Sequence, residues 1–450
     1  MKSGEHHSSG GKQTEAPQQH PVRRIRDPRL DFFRGIAMLI IFIAHVPWNH
    51  WANFIPARFG PSDATEMFVF CSGFAAAIAF GGTFIRAGFW IGTARVVYRV
   101  FTLYIAHIMM FLSIAVAVYV ANLYAVEEDY VSGLALNPFF ENPGQQLIGL
   151  FTLTYVPNYF DIMPMYIGVL LMMPLVVLAQ RFHTGLAIAL VLGLYVVQFN
   201  QQWDLPAAPF NDELVWFFNP LGWQLLFFTG FALSRKWIKA PPVTRPLVIA
   251  ALVVVVLGFL VWNRAAWKAF PEVMVLYDIL SDSGAYIGVD LGLLGKTDFG
   301  FGRFIHFMAL AYLAVAMLKG RESFLYAPIF NPIRKVGQQA LVTFVVSMFL
   351  SRIAGMILDV IGRDGWQLTL VNLGGMGTLV GVAYFIGWYK TQPWRAVDRH
   401  VNSAQASAHQ AAKDVVLESA QNKGPEKDQS QSGDKAAADY GQAARPMPAE

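Results

Sequence analysis

Arg34 and His45 lie inside the first long apolar run of this chain, with ten residues between them. At about 100° per residue that spacing is close to three helical turns, so both project from one face, roughly 16 Å apart along the axis. Asp31 stands one turn before Arg34 and can pair with it at i,i+3. One face thus carries an acid, a permanent cation and a titratable base. An imidazole is the natural general base near neutral pH, able to take a hydroxyl proton as that oxygen attacks an acyl carbon. Polar groups at membrane depth are costly and ask for a reason. The bland alternatives are a hydrogen-bonded interfacial histidine and an arginine that snorkels to the nearby surface with Asp31 as partner.

Further chemistry-bearing residues fall in later apolar runs. Asp63, Glu66 and Ser72 lie in or beside the second, where Glu66 would stand level with His45 and could orient its imidazole. An acidic first turn favoured by the helix dipole explains Glu66 equally well. Cys71 is the single cysteine, which excludes an internal disulfide and a multi-cysteine metal site; no metal is expected. In apolar company it reads as packing rather than as an acyl carrier. Arg86, Arg95 and Arg99 could hold the phosphates of a nucleotide-type donor, or could simply report topology. His107 follows on the same helix as Arg99 and could line the same interior. Asp161, Trp223 and Gln224, with Asn219, suit sugar hydroxyls, although a helix cap and an interfacial aromatic belt would use the same residues. Arg303 and His306 open a late run, which makes His306 the rival of His45.

The elements that must position these groups are helices in a bilayer. Of 450 residues, 55% are hydrophobic and 14% charged, and the mean hydropathy is +0.41. Soluble domains are nearer a quarter charged. Apolar runs of about twenty residues recur, and the expected spans are 30–47, 63–82, 98–120, 163–180, 184–200, 215–233, 245–262, 303–318, 337–359 and 368–388. The fold class is therefore all-α, a polytopic membrane protein with about ten transmembrane helices. The piece 145–156 is too short to span and reads as re-entrant or interfacial. Residues 1–29 lack the apolar core of a signal peptide and, like 391–450, are too polar to build a core, so both are expected to be disordered tails around one domain, 30–390. A net charge of +4 is too small an excess to argue for nucleic acid. The basic residues instead sort by loop: Arg23, Arg24, Arg26 and Arg29 precede the first span, and Arg235, Lys236, Lys239 and Arg245 separate the sixth and seventh. Acidic residues Glu127, Glu128, Asp129, Glu141, Asp204, Asp212 and Glu213 occupy the opposite loops. The positive-inside rule then puts both termini in the cytoplasm of a multi-pass plasma-membrane protein. The long outward loops 121–162 and 263–302 are candidates for lids or binding loops.

Phe33-Arg34-Gly35-Ile36-Ala37 running on to His45 resembles the first-helix signature of the integral-membrane acyltransferase type 3 family, an arginine and a histidine ten residues apart. Phe68-Val69-Phe70-Cys71-Ser72-Gly73-Phe74 is similar to that family's second-helix signature, with cysteine in place of a leucine-like residue. Arg95 and Arg99 resemble its arginine-rich third-helix start, without the proline that commonly follows. More narrowly, Asp27-Pro28-Arg29-Leu30-Asp31-Phe32-Phe33-Arg34-Gly35 together with Asp161-Ile162-Met163-Pro164-Met165-Tyr166 resembles the OpgC group. The resemblance implies a bacterial inner-membrane O-acyltransferase with no permanently bound cofactor. Its donor would be cytoplasmic acyl-CoA, succinyl-CoA for OpgC-like members, and its acceptor a periplasmic glucan. Arg86, Arg95 and Arg99 would hold the donor, Arg34 would position it, and His45, oriented by Glu66, would be the base. Asp161, Trp223, Gln224 and His306 would meet the acceptor. The alternative is a transporter or flippase that uses the same buried charges as a path for a polar or anionic substrate, which would favour paired halves and broken helices.

Overall fold

The computed structural model describes residues 27–124, 128–157, 159–201, 203–211, 213–263 and 293–421, with the single positions 268, 270, 272, 274 and 275. The described part of the chain is helical, and no β-strand occurs among the described residues beyond an isolated Pro206–Val215 bridge. The tail residues 1–26 and 422–450, and most of the expected loop 263–302, lie outside the described residues.

Helix α1, Pro28–His45, opens on Asp27, whose carboxylate accepts from the Arg29 amide, and has proline in its first turn. It stops at His45 because Val46 precedes Pro47 and is driven into an extended conformation. Helix α2, Ala64–Ala76, starts with a capping box: Asp63 Oδ1 accepts from the Thr65 amide (2.6 Å) and Glu66 Oε2 accepts from the Asp63 amide (2.7 Å). A single π turn over Ala77–Gly81 leads into α3, Gly82–Tyr124, which bends at Gly88 (φ 85°), a backbone angle that glycine alone adopts without strain. Two short helices follow, α4, Asn137–Glu141, and α5, Pro143–Thr152, and α5 occupies the apolar piece judged too short to span. Then come α6, Ile162–Phe182; α7, Thr184–Gln201; α8, Pro220–Arg235; and α9, Arg245–Trp262. The last helices of this unit are α10, Phe301–Leu318; α11, Asn331–Gln338; α12, Ala340–Ile361; and α13, Gly365–Tyr389.

Helix α2 packs between α1 and α8, and α1 also lies on α11 and α12. Glycines set these distances. A methyl group on Gly35 would land on the Ile333 carbonyl, and one on Gly73 would land on that of Phe227. Small residues let helix backbones approach closely where lipid supplies no hydrophobic drive.

Among the described residues, seven helical segments are long and apolar enough to cross a membrane. The expectation of about ten differs for visible reasons. The second and third expected spans fall in one 61-residue helical run, Ala64–Tyr124. Arg29, Asp31 and Arg34 load α1 with charge, and α8 has only 16 residues. A second compact unit begins at Trp388, and its helix α14, Pro393–Gln421, replaces part of the expected structureless tail. Side chains from Gln405 to Val415 are exposed there, so this helix buries no core over that stretch.

Candidate active site

At the last residue of α1, the His45 Nδ1 lies 2.7 Å from the Ile41 carbonyl oxygen. A carbonyl only accepts, so Nδ1 carries the proton and donates it, which leaves the lone pair on Nε2. The edge of the imidazole meets Tyr159, with ring centroids 5.3 Å apart at 78°. Tyr159 is pinned in turn to α12: its hydroxyl donates to the Met348 carbonyl and lies 2.8 Å from Ser351 Oγ, while the Arg352 guanidinium sits 3.9 Å above its ring. Tyr159 holds φ at 107°, a conformation costing about 1–3 kcal/mol that persists only when its surroundings enforce it.

His45 and Tyr159 open onto a cavity of about 220 Å³ shared with Thr65, Asp161 and Lys296. Phe217, Phe218, Phe344 and Met348 form its apolar wall. Lys296 Nζ lies 2.6 Å from Asp63 Oδ2 and 5.8 Å from the centre of the Phe218 ring. Burial alone would raise the Asp63 carboxyl, but the adjacent ammonium of Lys296 and the hydrogen bonds Asp63 accepts together outweigh it and hold Asp63 below the usual carboxylate range. Asp161, just ahead of α6, makes no cap to its own helix, and burial pushes its carboxyl up to about 7. The cavity wall therefore carries an ammonium whose partner Asp63 is not among the lining residues, a carboxyl that titrates near neutrality and an oriented imidazole.

Deeper along α1, Arg34 faces a smaller cavity of about 30 Å³ with Ser72, Arg99 and Tyr166. Ile162 and Phe344 belong to the walls of both cavities. The two polar chambers thus lie back to back along α1, with an apolar side chain from α6 and another from α12 between them.

Of the expected site residues, the structure brings His45 together with Asp161, and Arg34 with Arg99 and Ser72. Glu66 does not reach His45. It is fully buried, closes the α2 capping box and binds Arg303 Nη1 at 2.8 Å. The imidazole is oriented by its own helix instead. Trp223 and Gln224 are also fully buried and face neither chamber: Trp223 Nε1 donates to the Lys296 carbonyl (3.0 Å) and Gln224 Nε2 to the Val191 carbonyl (2.7 Å). With Asn219, whose amide nitrogen donates to the Thr297 carbonyl, Trp223 buttresses the loop that presents Lys296. His306 stands 2.9 Å from Ser62 Oγ beside Arg303 and lines neither chamber. Arg86 and Arg95 are exposed outside the Arg34 chamber, Arg95 donating to Thr83 Oγ1 at 2.5 Å. His107 is buried, and neither ring nitrogen has a partner among the described residues.

Sequence reasoning missed Lys296, Tyr159, Thr65 and Arg352. The one available signal was weak: a lone lysine in the glycine-containing stretch Leu294-Gly295-Lys296-Thr297-Asp298-Phe299-Gly300.

Several long apolar helices point to a multi-pass membrane protein, and cavities lined by His45 and by Arg34 lie among them. A family model described as "OpgC protein" matches residues 26–391, and the chain belongs to that family. Membership points to a transferase in glucan modification. No curated protein and no solved structure matches the chain.

Proposed function

We propose that this protein is a membrane O-acyltransferase that moves an acyl group, succinyl in the first instance, from cytoplasmic acyl-CoA to a hydroxyl of a periplasmic glucan. The observation that carries this reading is the His45 imidazole, tied at Nδ1 to Ile41 and lining a cavity with Lys296, Asp161 and Thr65. The basic residues before α1 support a cytoplasmic Arg34 end and an outward His45 end. Arg34 and Arg99 line the donor-side chamber and suit the pantetheine arm or thioester, and the exposed Arg86 and Arg95 suit the CoA phosphates. An extended pantetheine arm of order 20 Å matches the axial rise from Arg34 to His45, so donor and base can meet without a covalent enzyme intermediate.

In the reaction, Nε2 takes the acceptor hydroxyl proton while the oxygen bonds to the thioester carbon. The tetrahedral intermediate then collapses, the carbon–sulfur bond breaks, and the departing CoA thiolate recovers the proton from the imidazolium. Lys296 supplies a cation in the same chamber for the charge that develops on the carbonyl oxygen.

The test is mass spectrometry of periplasmic glucans from cells making the protein or its His45→Ala variant. Wild type should add the succinyl mass, and the variant should lose at least about a hundredfold in rate, the usual worth of a general base. A variant that is membrane-inserted at wild-type level and still acylates glucan refutes the mechanism. A wild type that adds no acyl mass refutes the reaction.

A further inference from the structure

His45 lines a second cavity as well, of about 420 Å³, and is the one residue it shares with the Lys296 chamber among their described lining residues. Its walls come from the segment after α1 and from α12: Trp48, Asn49, His50, Asn53, Arg58 and Arg352 supply the polar and aromatic groups. No carboxylate is among its described lining residues. Nothing in the sequence reading placed a ligand there.

The segment is built to hold one side chain outward. Pro47 is fixed from below: its carbonyl accepts from Arg363 Nη1 (2.6 Å) and its ring rests on Gly355 of α12. Asn49 is buried and trades two side-chain hydrogen bonds with Asn372 of α13, at 2.8 and 3.1 Å, while its amide also donates to the Ile43 carbonyl. Trp48, between these clamps, adopts φ 55° and is 81% exposed. A bulky residue in the left-handed region is an outlier that the surrounding clamps enforce, and such outliers concentrate at ligand sites. The result is a pre-ordered indole beside amide, imidazole and guanidinium donors. Arg352 adds a buried Nε with no protein acceptor among the described residues.

We propose that this cavity is the acceptor site: a carbohydrate chain stacks the apolar face of a sugar ring on Trp48 and offers one hydroxyl to His45. An aromatic plane with several hydrogen-bond donors is the chemistry that recognises a pyranose, whose two faces are apolar and whose rim is hydroxylated. The assignment rests on the acyl-transfer reading above and moves the acceptor away from Trp223, Gln224 and His306, which are packed elsewhere. Acyl donor and acceptor then reach His45 from different cavities, and the imidazole stands in the wall between them.

Full-length protein in lipid nanodiscs, assayed with succinyl-CoA and a short β-linked glucose oligomer, tests the proposal. Trp48→Ala should raise the KM for the oligomer about tenfold, the effect of losing one good stacking contact, while the KM for succinyl-CoA holds. Trp48→Phe should recover most of the loss. An unchanged oligomer KM, or reduced membrane insertion as the only effect, overturns the proposal and makes Trp48 an interfacial anchor. Should wild type transfer no acyl group, the reaction fails but the site is still tested by calorimetric titration with the oligomer alone. Weaker binding by Trp48→Ala upholds the site, and equal binding overturns it.

Discussion

His45 donates from Nδ1 to the Ile41 carbonyl, so Nε2, the proposed base atom, is aimed by its own helix and needs no carboxylate. Glu66 serves the fold instead. Its two oxygens are divided between the Asp63 amide and Arg303, and the pair is almost wholly withdrawn from solvent. Removing one partner of such a pair leaves an uncompensated buried charge, at a cost of about 3–5 kcal/mol. Glu66→Ala and Arg303→Ala should therefore each lower the melting temperature markedly, and the double variant should cost less than the sum of the two. Any activity that survives in Glu66→Gln should keep the wild-type pH profile. A displaced profile would mean that Glu66 tunes the imidazole after all. The residue-scale reading was uneven for a physical reason. Arg34 and His45 stand out in one dimension because charge in an apolar run is conspicuous wherever it occurs. Lys296 and Tyr159 sit in irregular segments, where polar residues are ordinary, and become significant only when the chain returns them to α1.

At the scale of the element, hydropathy located the spans well: the expected 245–262 is α9, Arg245–Trp262, and 184–200 differs from α7 by a single residue. Partners were not legible. The neighbour that seats α1 is α11, an eight-residue helix about three hundred residues later and too short to register as a span. Its contact explains the glycine in Phe33-Arg34-Gly35. A Cβ on Gly35 would strike the Ile333 carbonyl, and one on Gly337 the Asp31 carbonyl, so the two backbones touch through both glycines. Gly35→Ala must push α1 off α11 and shift Arg34 with it. We expect a melting temperature several degrees lower and a clear loss of transfer, since a 1 Å misplacement near a reacting centre can cost about a hundredfold. Gly193→Ala on α7 is the control. Open space surrounds Gly193, so the alanine should be neutral or slightly stabilising, by up to about 1 kcal/mol. Equal behaviour of the two variants would contradict the close-packing explanation of the motif.

Taken as a whole molecule, the chambers form a series along α1: Arg34 and Arg99, then Lys296 and Asp161, then His45, then the Trp48 cavity. None of this was legible in the sequence, because a cavity is a property of side chains from many helices at once. The sorting of basic and acidic loops gives an expectation of sidedness but says nothing of the cavities. The Arg34 and Lys296 chambers share Phe344, which is buried and stacks on Phe68 at 6.0 Å between centroids. On the proposed route, an apolar partition at this point would let a slender acyl arm pass while denying water a continuous path, and excluding water protects a reactive acyl group from hydrolysis. Phe344→Ala removes the larger part of the partition and leaves Ile162. It should cost about 3–5 kcal/mol of stability, as large-to-small core changes do. The functional signature lies elsewhere: release of free CoA from succinyl-CoA in the absence of glucan should rise by about tenfold, because water now reaches the thioester. Phe307→Ala, a buried aromatic on α10 that lines neither chamber, should lose comparable stability without that rise. If both variants hydrolyse the donor equally, Phe344 is ordinary packing and the acyl arm takes another route to His45.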